Sequence, residues 1–209
     1  MRQQPKLPID FVIFADMKIM IRQLTIAIIG CLMCTACNND YVPKPRGYYR
    51  IDMPAKEYQP IAGRLPYSFE IPTYAAFNLR PNANPDERYW SNVDFDKFNA
   101  KIHISYKLID NNLDQYIADA HGFVYKHTVK ADAISEIPYI DSDKHVYGLL
   151  YEIKGDAASN MQFYLTDSTH NFVRGALYFN AVPNKDSLAP VLDFLSLDIK
   201  HLIETFKWN

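Results

Sequence analysis

From residue 188 to 206, eight apolar residues keep helical spacing: Leu188, Val191, Leu192, Leu195, Ile199, Leu202, Ile203 and Phe206. A helix with one apolar stripe must bury that stripe against another layer. The residues just before it say what the layer is. Runs 145–154, 161–167 and 172–180 read as strands, separated by GDAASN and DSTHN, which are rich in turn residues. Consecutive strands joined by short turns predict an antiparallel meander. The fold class is therefore α+β, an antiparallel β-sheet packed by a long C-terminal amphipathic helix and a second helix. Asp186 or Ser187 would cap the C-terminal helix, with Pro190 in its first turn, where a missing N–H is no loss.

The second helix is predicted over residues 112–126. Leu113, Tyr116, Ile117, Ala120, Phe123 and Val124 share a face, and Asp110, Asn111 or Asn112 can serve as the N-cap. The clearest strand is 101–108. Ile102, Ile104, Tyr106 and Leu108 would face one way, and Lys101, His103, Ser105 and Lys107 the other. Residues 67–71 also alternate as a strand. The Asn/Pro-rich segment 73–89 reads as a long loop.

Residues 24–37 form an apolar run, LTIAIIGCLMCTAC, preceded by Lys18 and Arg22. It is too short for a membrane span, which needs about 20 apolar residues, and fits the core of a secretory signal. The small residues Thr35 and Ala36 stand before Cys37, the pattern of a lipoprotein signal. Cys31 and Cys34 are rival sites, each poorer: Cys31 would truncate the apolar run, and Cys34 follows the bulky Met33. The expected cofactor set is empty, apart from a covalent diacylglycerol and acyl lipid on Cys37. Residues 1–36 are read as the signal, and residues 1–16 as a leader that a start at Met17 or Met20 would omit. Residues 37–60 are a lipid-anchored, Pro-rich arm, and 61–209 a single globular domain. In the arm, Lys44, Arg46 and Arg50 with Tyr48 and Tyr49 could form a docking strip for a partner, or the arm could pack along its own domain.

The body after residue 36 holds one cysteine, so no disulfide of its own supports it. The whole chain has 22 basic and 24 acidic residues, for a net charge of −2. Removing 1–36 takes four basic and two acidic residues and leaves −4. Such a field excludes nucleic-acid binding by phosphate neutralisation.

Catalytic patterns are absent from the sequence. There is no G-x-S-x-G elbow, and His121 and His127 are six apart rather than four. Asp94 and Asp96 read as solvated loop carboxylates, residues 141–143 as a turn, and residues 167–170 as a hairpin turn. A hydrolase site around His103 or His170 is the weakest alternative. No metal site is expected, and the residue pattern favours a binding protein over an enzyme. Arg174, mid-strand between Phe172 and Ala176, needs a partner. Asp167 across the hairpin is the candidate for a structural pair, and a partner-protein interface is the alternative.

Three strings carry a resemblance: NNDYVPKPRGYYRI from Asn38, AKIHISY from Ala100, and the segment 157–206 with QFYLTDS, RGALYF and PNKDSLAP. Together they are similar to the gliding-motility lipoprotein GldD family. The resemblance implies a non-enzymatic accessory or scaffold of the gliding and type IX secretion machinery. Its partners would be other envelope lipoproteins and membrane components of that apparatus, with membrane lipid reached through Cys37. The expected location is the outer membrane, facing the periplasm. A periplasmic lipid- or small-molecule-binding lipoprotein is the alternative, using a pocket between sheet and helices.

Overall fold

The alternating run around residue 104 becomes a strand beside the middle of the sheet. The computed structural model describes residues 20–26, 50–80 and 84–209. Two units divide at residue 47. In the first, residues 20–26 form a helix. No helix among the described residues is long and apolar enough to cross a membrane.

Among the described residues the second unit holds eleven short or long strands. β1 (Tyr58–Pro60) pairs with β3 (Glu70–Pro72), and β2 (Tyr67–Ser68) with β11 (Lys207–Trp208). The main sheet contains β4 (Ala76–Leu79), β5 (Ser91–Phe95), β6 (Ala100–Leu108), β7 (Ala131–Asp141), β8 (Val146–Gly155), β9 (Met161–Thr166) and β10 (Asn171–Phe179). Its order is β4-β5-β6-β10-β9-β8-β7, and every pair is antiparallel. The chain climbs from β4 to β6, leaves through α1 (Leu113–Tyr125), re-enters at the far edge, and meanders back to set β10 beside β6. It closes with α2 (Lys185–Thr205). The expected α+β architecture is the one observed.

The period of two divides the sheet into two faces. Ile102, Ile104 and Tyr106 on β6, Phe163 and Leu165 on β9, and Val173 and Leu177 on β10 join Val191, Leu195, Ile199, Leu202 and Ile203 of α2 in the larger core. Leu108, assigned by alternation to the same face, is instead exposed at the strand end. On the opposite face Ala120 and Val124 of α1 pack on Tyr151, Ile153, Tyr164 and Phe172. α1 therefore covers β8 to β10, and the β4–β6 half of that face carries polar side chains.

Several boundaries differ from the sequence reading. Asn184, not Asp186 or Ser187, caps α2, its side chain accepting from the Ser187 N–H at 3.0 Å. The helix thus starts earlier, and Pro190 lies inside it rather than in its first turn. The strand expected over 67–71 is split into β2 and β3. The expected loop 73–89 contains β4, and Asp94 sits in β5, bonded to Lys101 at 2.9 Å and to Asn78 at 2.8 Å.

The arm next to the body is latched to α2. Asp198 is buried, and its Oδ1 accepts from Lys56 Nζ at 2.7 Å and from the Tyr58 hydroxyl at 3.0 Å. Tyr74 donates to its other oxygen. Lys56 also lies over the Phe194 ring, and Tyr58 stacks on His201 at 3.6 Å. Burial, reinforced by the Asp198 hydrogen bond and charge, pushes the Tyr58 phenol up to about 12. The folded unit thus includes residues on the N-terminal side of residue 61.

Candidate functional site

β6 and β10 run side by side in a register that places Ser105 opposite Arg174 and Lys107 opposite Phe172. β6 contributes His103, Ser105 and Lys107 to the face away from α2. α1 crosses that face one strand further on and contributes Tyr116, Asp119, Ala120 and Phe123. Between them lies a cleft of about 270 Å3. Arg80 and Trp90, from the ends of β4 and β5, close it on the other side. A larger hollow of about 660 Å3 adjoins it through Trp90, Lys107 and Tyr116 and continues past Arg88 and Tyr89.

Cations in this region rest on aromatic faces. Arg174 lies 4.6 Å from the Phe123 ring centre, Lys107 4.8 Å from Tyr116, Arg88 4.8 Å from Tyr89 and Arg80 5.9 Å from Trp90. Such contacts contribute about 0.5–1 kcal/mol when exposed and about 2 kcal/mol or more when desolvated. Arg174 is half-buried, and its Nη2 donates to Gln162 Oε1 at 2.5 Å. Burial holds the guanidinium below the usual arginine range, opposed by Tyr178. The Gln162 amide, turned toward Arg174, leaves its own buried Nε2 without a partner among the described residues.

His103 Nδ1 lies 2.7 Å from Asn92 Oδ1 and is the donor in that bond, since the amide oxygen can only accept. Burial, then the Arg80 and Lys101 charges, push His103 below the usual imidazole range. Both effects favour the neutral imidazole. Burial and then the Arg174 charge also push His127 down.

The expected Arg174–Asp167 pair does not form. Asp167 Oδ1 instead accepts the backbone N–H groups of Thr169, His170 and Asn171 at 2.8–2.9 Å, closing the β9–β10 hairpin. Burial works against its charge, but those three donors outweigh it and hold the carboxyl below the usual range. This also fixes residues 167–170 as the expected turn.

The other residues singled out from sequence lie elsewhere. Cys37, Lys44, Arg46, Tyr48 and Tyr49 are outside the described residues. Arg50 is almost fully exposed and pairs with Asp52 at 3.5 Å. Its contacts share no residue with those of Arg174. Among the described residues no three His, Cys, Asp or Glu side chains come together to hold a metal ion. The sequence reading identified the polar stripe of β6 but not its meeting with Phe123, Arg80 and Trp90. That meeting depends on where α1 crosses.

Fold and cleft define an α+β protein built on one antiparallel sheet, with a helix on each face and a cationic, aromatic cleft beside one of them. The chain belongs to the gliding motility lipoprotein GldD family, which it matches over residues 38–208. Membership links it to gliding motility and makes it a membrane-anchored lipoprotein of the cell envelope. No curated protein matches the sequence. Among solved structures, the chain is similar to cyanobacterial PsbP (CyanoP) from Synechocystis sp. PCC 6803. The identity is 10% and the TM-score 0.46, over 75% of this chain and 95% of that one.

Proposed function

We propose that the protein is a non-enzymatic accessory of the gliding and type IX secretion machinery. An acylated Cys37 holds it to the outer membrane, and the body works in the periplasm by binding other envelope lipoproteins and membrane components. The observation that carries this reading is the extent of the family match, which starts at residue 38, immediately after Cys37. The family's shared pattern is then the mature body itself, and the anchor and body act as one device.

Surface chemistry supports partner binding. The α2 side of the sheet is filled by buried side chains, whereas Phe123 and Tyr125 of α1 stay substantially exposed. Aromatic groups held at the surface are the usual anchors of protein interfaces. The cleft is open and lined by charged groups, unlike the closed apolar cavity of a lipid carrier.

Chemical crosslinking in intact cells, followed by mass spectrometry, tests the reading. Crosslinks from this body to components of the gliding or secretion apparatus are expected. Recovery of abundant envelope proteins alone contradicts it.

A further inference from the structure

We propose that the cleft between α1 and the β6–β10 pair binds an oxyanion, a carboxylate or phosphate, carried on a short apolar body. Arg80, Lys107 and Arg174 line the cleft against one carboxylate, Asp119, and burial there favours the neutral form of His103. This local excess of positive charge stands in a chain whose net charge is −2. By contrast Lys101, one pleat along β6, is neutralised by Asp94 at 2.9 Å.

Arg174 sets the chemistry. It is half-buried, yet among the described residues no carboxylate pairs with it. Its contacts are the neutral Gln162 oxygen, the Tyr178 hydroxyl and the Phe123 ring. A partly desolvated guanidinium with only neutral partners gains most from an arriving anion. Its planar fork matches two oxygens of a carboxylate or phosphate. Gln162 and Phe123 fix its orientation in advance, so little side-chain freedom is lost on binding.

The apolar part of the ligand is set by the walls. Phe123, Ala120, Phe172, Tyr116 and Trp90 present carbon surface next to the cations. At about 270 Å3 the cleft lies just below the usual range of about 300–1,000 Å3 for ligand pockets, so the body must be short. A free metabolite and a lipid headgroup can both supply this chemistry. The proposal does not rest on the partner reading above, because cleft occupancy and crosslinking are separate observations.

The test uses the full lipidated chain in phosphatidylcholine nanodiscs, with NMR of the Trp90 indole and Arg174 guanidinium signals. The probes are 3-phenylpropionate, phenyl phosphate and the neutral 3-phenylpropanamide. A second set of nanodiscs contains phosphatidylglycerol. Saturable shifts with either soluble anion but not the amide identify a free ligand. Shifts that appear only with phosphatidylglycerol identify a headgroup. In both cases Arg174→Gln weakens binding roughly tenfold or more, read at Trp90. Lys107→Gln, at an exposed position, weakens it several-fold while lowering Tm by no more than about 4 °C, the loss of its contact with Tyr116, and decides the matter if the Arg174 variant does not fold. No saturable shift with any anion overturns the proposal. So does equal binding of the amide, or undiminished binding by Lys107→Gln.

Discussion

At the scale of single residues, the buried Asp198 governs how the arm meets the body. Its carboxylate is 1% exposed, and Lys56 supplies the one opposite charge within ion-pair distance among the described residues. Removing one partner of such a pair leaves an uncompensated charge, which costs about 3–5 kcal/mol. Tyr58 and Tyr74 still donate to Asp198, so Lys56→Met should cost about 3 kcal/mol, at the low end of that range. The double variant Lys56→Met/Asp198→Leu should recover part of the loss, because no buried charge remains while the Tyr58 and Tyr74 hydroxyls lose their acceptor. Urea unfolding of the three proteins measures both values. A single-variant change below about 0.5 kcal/mol, typical of surface substitutions, would show that the latch contributes nothing.

Among the elements, two glycines separate what the sheet tolerates from what the helix tolerates. A Cβ on Gly148 of β8 would run into the Tyr164 backbone carbonyl of β9, which cannot move without breaking the ladder. A Cβ on Gly122 of α1 would meet nothing within 4 Å. Gly148→Ala should therefore lose about 3 kcal/mol or more, as overpacking against backbone does at its severe end. Gly122→Ala should gain up to about 1 kcal/mol from helix propensity. Thermal and urea unfolding of the pair check this, and equal effects would contradict the packing described.

Elements with one buried face were legible in the sequence. β6 and both long helices carry the period their burial requires, whereas β9, buried at every residue, and its neighbours β8 and β10 show as apolar runs between turn segments. β7, ADAISEIPYID, was not legible: it is an edge strand exposed on much of both faces, and Pro138 interrupts its pattern. β4 and β5 were hidden because four- and five-residue strands among Asn and Pro give too few alternations. The candidate site was half legible. Alternation isolated Lys107 and His103 on one face, but Arg174 was matched to Asp167 by nearness in the hairpin. The register instead sets Arg174 opposite Tyr164 and lets it reach Gln162.

For the whole molecule, the question is what the proposed lipid on Cys37 does for a body of this kind. The described arm is fixed to α2 by Lys56 and Tyr58, and Cys37 lies 19 residues before Lys56. An extended chain rises at most about 3.3–3.6 Å per residue, so the latch can stand no more than about 70 Å from Cys37. A lipid-anchored accessory must lose its role when it diffuses freely, even though its fold is unchanged. The most direct measurement is secretion of type IX cargo by a deletion strain carrying either the wild-type gene or Cys37→Ser, with equal protein levels verified. Wild type should restore secretion, and Cys37→Ser should leave it close to the deletion. Full restoration by Cys37→Ser, or normal secretion in the deletion itself, would contradict the anchored-accessory function.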